Sequence, residues 1–115
     1  MPNIDPVNDR WPQPYTVDDV RRGEVWLIKG ARERLGLIIS SDVFNGTDVP
    51  VVIVAEVTES EELRDSPLAV ELDEYVVMPD RLSSPLKRWF VERVAVADTS
   101  TMHNVSRALR ILQDL

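Results

Sequence analysis

The chain has no cysteine, a single histidine and few aromatic residues, 6% of its 115 positions. Without cysteine there are no disulfide staples, no thiolate metal sites and no cysteine nucleophile. The lone histidine, His103, rules out catalysis by a histidine pair. It falls beside Met102 but off the apolar stripe of the last helical segment, the pattern of an exposed helix residue. Long apolar runs are also missing. Nothing approaches the ~20 residues of a membrane-crossing helix, and the stretch from Met1 to Arg21 holds no apolar core of signal-peptide length. The expected setting is therefore soluble and cytoplasmic. No internal repeat or low-complexity segment is present.

What is there suits one modest core: 43% of residues are hydrophobic, in a chain of single-domain length. The net charge is −7, which argues against a nucleic-acid binder, because phosphate neutralisation by basic residues supplies most of such affinity. The charge is uneven, however. Between Glu56 and Glu74 there are eight acids against one base, Arg64, whereas from Arg81 onward six bases face three acids. A locally basic face within an acidic whole follows. The acidic stretch raises the option of a carboxylate-held Mg²⁺ site, but Glu59, Glu61, Glu62 and Asp65 follow no metal motif and read as a solvated loop.

Residues 1–21 read as a partly ordered N-terminal extension, followed by one domain over 22–115. Pro2, Pro6, Pro12 and Pro14 discourage helix and central strand in the extension, while Trp11 and Tyr15 favour partial docking. From Gly23 onward the β-formers take over. Strands are expected over Glu24–Lys29, Leu35–Ser40, Val51–Thr58, Leu68–Leu72 and Tyr75–Met78, with a turn at Asp73-Glu74. A helical turn over Asp42–Asn45 closes at Gly46. Pro79 to Arg93 is ambiguous, and Trp89-Phe90-Val91 fits either strand or short helix. Met102, Val105, Leu109 and Leu112 recur at helical spacing, with Thr99 or Ser100 as N-cap. Short strands followed by one amphipathic helix point to a mainly β fold: a small, strongly bent barrel with the helix packed against it and one or two short helical turns.

Several of these segments carry a family pattern. Arg22-Gly23-Glu24-Val25-Trp26-Leu27 resembles the opening strand of the MazF/PemK toxins. Arg34-Leu35-Gly36-Leu37-Ile38-Ile39-Ser40 is similar to their RPVLVIS strand, and Asp42-Val43-Phe44-Asn45 to the D-x-x-N turn after it. Val52 to Thr58 resembles the VIVAPIT strand, and Pro67 to Leu72 the P-x-x-V-x-L strand. Met102 to Leu109 fits M-x-x-V-x-x-A-L. The departures are equally specific. The glycine-rich loop is shortened to Gly30-Ala31-Arg32-Glu33, Leu35 stands for the proline after the arginine, Glu56 for the proline before the threonine, and Arg81-Leu82-Ser83-Ser84 for Q-I-R-T.

The resemblance implies an SH3-like barrel, usually a homodimer. It further implies the toxin of a type II toxin–antitoxin pair, restrained by a cognate antitoxin and cutting single-stranded RNA without a metal or other cofactor. The implied catalytic pair is Arg34 and Thr58. Arg32, Arg81, Lys87 and Arg88 are the basic residues expected to meet RNA. Arginine brings a forked, charged donor suited to phosphate, and threonine a hydroxyl able to donate to it. The plainer reading of Arg34 is a loop-edge residue paired with Glu33 or Glu56. Trp89, between Arg88 and Phe90, is either a base-stacking platform or part of the core or a dimer interface. The rival function is a catalytically weak or inactive barrel that works by binding a protein, since the related CcdB toxins share the barrel and poison DNA gyrase. The Pro- and Asp-rich extension could then lie over the RNA-binding face as antitoxin tails do, or pack loosely outside the barrel.

Overall fold

The computed structural model describes residues 20–113. The expectations placed on residues 1–19, including Trp11 and Tyr15, lie outside the described residues.

The strands begin where β-branched and aromatic residues accumulate. β1 (Glu24–Lys29) turns through Gly30–Arg32 into β2 (Glu33–Ile38), and the single helical turn α1 (Asp42–Asn45) follows. β3 (Val54–Thr58) leads through a 3₁₀ turn (Glu62–Asp65) to β4 (Val70–Leu72) and β5 (Tyr75–Ser83). A second 3₁₀ turn (Lys87–Trp89) opens directly into β6 (Phe90–Val96), and α2 (Thr99–Gln113) ends the described chain. The six strands form one sheet in the order β4-β5-β3-β2-β1-β6, with every pair antiparallel. The sheet is a strongly curled half-barrel rather than a closed cylinder, with β4 and β6 at its open edges.

Because side chains alternate along each strand, the sheet carries a core on each face. Val25, Leu37, Ala55, Val57, Val77 and Val105 form one cluster, with α2 packed over β4 and β5. Trp26, Ile28, Ile38, Val52, Val54 and Phe90 form the other, with Val20. Val20 is 2% exposed, so the core reaches into the stretch expected to be an extension.

Five boundaries differ from the sequence expectation. β2 runs over Glu33–Ile38 instead of Leu35–Ser40, because Glu33 and Arg34 pair with Lys29 and Ile28 of β1 while the Ile39 and Ser40 backbones turn to the Ile53 carbonyl. β3 starts at Val54 instead of Val51. The residues before it are buried for another reason: Val52 fills the second core, while the Ile53 carbonyl accepts from the backbones of Ile39 and Ser40. β4 is shortened by the turn in which Ala69 N donates to the Ser66 carbonyl at 3.0 Å. β5 runs past Met78 to Ser83, because its pairing with β3 jumps from Glu56↔Met78 to Ala55↔Leu82 and lets Pro79, Asp80 and Arg81 bulge out. Finally, the cap of α2 is Asp98, whose Oδ1 accepts from Thr101 N at 2.7 Å. Trp89-Phe90-Val91 proves to be both alternatives at once, the end of a 3₁₀ turn and the start of a strand.

Two polar anchors hold the frame. Glu24, 6% exposed, accepts from Arg21 N, Trp26 Nε1 and Arg93 Nη1 at 2.8, 2.9 and 2.9 Å. Asn45, 2% exposed, donates to the Ser40 carbonyl at 3.0 Å, to Asp42 Oδ1 at 3.2 Å, and accepts from Ser40 Oγ. The D-x-x-N turn is thus an internal hydrogen-bonded knot. Among the described residues no helix is long and apolar enough to cross a membrane.

Candidate functional site

Leu35 and Val57 face each other across β2 and β3 and belong to the core on the helix side. One step beyond that pair stand Arg34 and Thr58. Alternation sends both of them, with Glu56, to the sheet face away from α2. Glu56 lies opposite Gly36, and the missing side chain at Gly36 is required there: a Cβ would come within 2.9 Å of Val54 and 3.0 Å of Ile28. Val54 and Ile28 thus pack down over Gly36, and beside them a shallow bay opens between Arg34 and Glu56.

The bulge in β5 closes this bay on its far side. Arg34, Leu35, Val54, Glu56, Arg81, Leu82 and Ser83 line a cleft of about 150 Å³. Arg81 reaches back over β3 and pairs with Glu56 at 3.4 Å, with both side chains partly exposed. A second recess, of about 320 Å³, adjoins on the other side of Arg34 and is lined by Gly30, Ala31, Arg32, Arg34 and Trp89. Arg34 therefore stands on the wall shared by both.

The plainer reading of Arg34 required an acidic partner, and both candidates are taken. Glu33 pairs with Lys29 at 3.2 Å and Glu56 with Arg81. Among the described residues the Arg34 guanidinium has no hydrogen-bond or ion-pair partner, although it is only half exposed. The one carboxylate that shares its cleft, Glu56, is engaged by Arg81 rather than by Arg34. Thr58 is half-buried, and its hydroxyl accepts from Ser60 N at 3.1 Å. That contact uses one lone pair and leaves the hydroxyl proton to donate.

Of the remaining sequence candidates, Arg32 and Arg81 join this region. Arg88 is exposed next to Trp89 at the start of β6. Lys87 does not join it. Its ammonium is turned inward, 6% exposed, and donates to the carbonyls of Asn45 and Thr47 at 2.8 and 2.9 Å. It is a structural lysine, and its position after Pro85 and Leu86 gave no sign of that. Trp89 packs its half-buried indole against the second core and at the same time walls the recess.

The acidic stretch lies elsewhere, and it is organised rather than merely solvated. Arg64 reaches Glu61 at 3.3 Å, Glu71 at 3.5 Å and the Glu74 carbonyl at 3.3 Å. Burial and the nearby charges of Glu74, Glu59 and Asp73 push the Tyr75 phenol above its usual value. Among the described residues no group of three His, Asp or Glu side chains gathers as a metal-ligand set. His103 is exposed on α2.

The chain matches the model of the PemK-like, MazF-like toxins of type II toxin–antitoxin systems over residues 21–113. No curated protein matches it by sequence. Among solved structures it is similar to an endoribonuclease from a Mycobacterial species, with a TM-score of 0.74 at 18% identity, covering 90% of this chain and 97% of that one. A Mycobacterial endoribonuclease in complex with its cognate antitoxin gives a TM-score of 0.69 at 20% identity, covering 84% and 94%. A MazE–MazF crystal structure from Deinococcus radiodurans gives 0.70 at 23% identity, covering 84% and 96%. These likenesses establish the fold.

Proposed function

The chain belongs to the PemK-like, MazF-like toxins of type II toxin–antitoxin systems, and from that premise we propose that it is a cytoplasmic endoribonuclease that cuts single-stranded RNA without a metal in the cleft around Arg34 and Thr58. The observation that carries this reading is the Arg34 guanidinium on the cleft wall, without a partner among the described residues, one position beyond the Leu35↔Val57 pair that also precedes Thr58.

Metal-free cleavage of RNA proceeds by attack of a ribose 2′-oxygen on the adjacent phosphorus. The O2′–P bond forms as the P–O5′ bond breaks, leaving a 2′,3′-cyclic phosphate and a 5′-hydroxyl. Negative charge builds on the non-bridging oxygens on the way, and fixed donors aimed at it lower the barrier. Arg34 supplies a planar charged fork for those oxygens, and Thr58 a hydroxyl donor beside it. Arg32, Arg81 and Arg88 extend the positive surface along which a strand would run. The reaction also needs an acceptor for the 2′-OH proton, and neither arginine nor threonine is suited to that role.

Two partners go with the reading. A cognate antitoxin would occlude this basic face, and a second copy of the chain would complete a homodimer. Phe90 is 2% exposed and fills the protomer's own core, and the large apolar side chains left exposed among the described residues are Val43, Val49, Leu82, Val94, Val96 and Ile111, with Val94 and Val96 on the edge strand β6. The rival reading, a barrel that acts by protein binding, is favoured by the acidic balance of the chain.

The deciding experiment is incubation of the purified protein with mixed-sequence RNA in EDTA. Cleavage with cyclic-phosphate ends is expected. Cleavage that starts only when Mg²⁺ is added overturns metal independence, and intact RNA under every condition favours the protein-binding rival.

A further inference from the structure

Among the described residues the cleft beside Arg34 holds one carboxylate, Glu56, and its surroundings place it in the path of a proton. It lies on the same sheet face as Thr58, two residues before it on β3, and on the same cleft wall as Arg34, its diagonal neighbour across the ladder. Its neighbour across the ladder is Gly36, over which Val54 and Ile28 close, and Glu56 itself lines the adjoining cleft with Arg34, Val54 and Arg81. Arg81, carried there by the β5 bulge, holds one carboxylate oxygen through Nη1 at 3.4 Å. The charged groups facing Glu56 are thus Arg34 from β2 and Arg81 from β5.

A carboxylate has four lone-pair sites, and one guanidinium contact leaves most of them open. Two cations flank it while only one of them engages it, so a phosphate that docks on Arg34 is brought next to a free carboxylate oxygen. The sequence pattern of the family expects proline at this position, so the carboxylate is a property of this chain.

We propose that Glu56 is the general base of RNA cleavage, a role that rests on the proposed endoribonuclease reading. Glu56 takes the proton from the 2′-OH as the O2′–P bond forms; the P–O5′ bond breaks, and the departing 5′-oxygen takes a proton from solvent. Arg34 stabilises the phosphorane oxygens. Arg81 is a positioning residue that fixes the carboxylate.

The test uses the full chain, a single-stranded RNA and a matched RNA with sulfur in place of the scissile 5′-oxygen. Glu56→Gln keeps shape and hydrogen bonding but cannot accept the proton. It should lower the cleavage rate by about 100- to 10,000-fold, leave RNA affinity unchanged or tighter, and lack the fall in rate toward acid pH that is expected of the wild type. The loss should persist on the sulfur-containing RNA, whose leaving group needs no proton. Glu56→Asp should recover part of the rate together with the acid limb. Glu56→Gln cleaving as fast as the wild type, or faster, overturns the proposal and makes Glu56 a restraint on RNA binding. A slow Glu56→Gln that keeps the acid limb overturns it as well, in favour of a purely positional role. A wild type that cleaves no RNA removes the endoribonuclease reading itself, an outcome distinct from both.

Discussion

Lys87 Nζ donates to the Asn45 carbonyl at 2.8 Å, a buried bond between residues 42 positions apart. With its second bond, to Thr47 at 2.9 Å, it ties the turn after β2 to the entry of β6. A buried ammonium is tolerated only when its donors are satisfied, and backbone carbonyls serve here without any acidic partner. Lys87→Met keeps the stem and removes the charge, leaving the two carbonyls without their donor. The expected loss is about 1–3 kcal/mol, read from denaturant unfolding. The salt dependence of RNA affinity should not change, because a lysine committed to protein carbonyls releases no phosphate counterion.

Arg34 and Thr58 should behave in the opposite way. Arg34→Ala should abolish cleavage and Thr58→Ala weaken it, by an amount typical of losing one preorganised donor, about 2.7–4 kcal/mol of transition-state stabilisation. The melting temperature should hardly move, since Arg34 has no partner among the described residues. Unfolding of Arg34→Ala at ordinary temperature would make the arginine structural and remove it from the site.

The contrast between Lys87 and Arg34 shows what was legible beforehand. Strand and helix identities followed from local chemistry: β-branched runs for β1 to β3, and the spacing of Met102, Val105 and Leu109 for α2. The arginine–threonine pair came from the family pattern, and its members flank the Leu35↔Val57 pair of the β2–β3 ladder. Lys87 was expected to meet RNA as one of the basic residues; lysine's usual exposure is overturned here, and nothing in Leu86-Lys87-Arg88 announces the two carbonyls 40 and 42 positions away. Glu24 was missed for the same reason, since its three donors converge only in the folded chain. The role given to Glu56 depends on the β5 bulge, and a bulge at Pro79–Arg81 leaves only an ambiguous signal in sequence. Ser100 and Thr99 were sound N-cap candidates by residue type; Asp98 took the position because α2 starts one residue earlier than expected.

That cap gives a pH prediction. The bonds from the Thr101 backbone and side chain hold the Asp98 carboxyl below its ordinary value of 3.8. A carboxyl lowered in the folded state favours folding above its unfolded value and loses that contribution as pH falls through the folded one. Asp98→Asn should therefore be less stable than the wild type at neutral pH, and the gap should narrow as the medium becomes acidic below about 3.8. Thermal unfolding of both proteins over that range is the measurement. A gap independent of pH would mean that the cap acts only as a neutral hydrogen-bond acceptor.

The last prediction concerns the recess beside Arg34, where the Trp89 indole packs close against Gly30. A Cβ on Gly30 would sit 2.7 Å from Trp89 Cε3 and 2.9 Å from Cζ3, too close for real atoms. The ring is rigid and packs against the second core, so it cannot yield as the tip of a lysine would. Gly30→Ala must displace the indole, and overpacking of this kind typically costs about 1–3 kcal/mol. Displacement would also reshape the wall that Trp89 shares with Arg32 and Arg34, so RNA affinity should fall along with stability. Trp89→Ala removes the obstruction at the expense of its packing. If the ring is the whole reason for glycine at position 30, adding Gly30→Ala to Trp89→Ala should cost almost nothing further. The double-mutant cycle should then show a coupling energy close to the full cost of Gly30→Ala alone. Additive costs would mean that glycine is needed for the turn between β1 and β2, independently of the tryptophan.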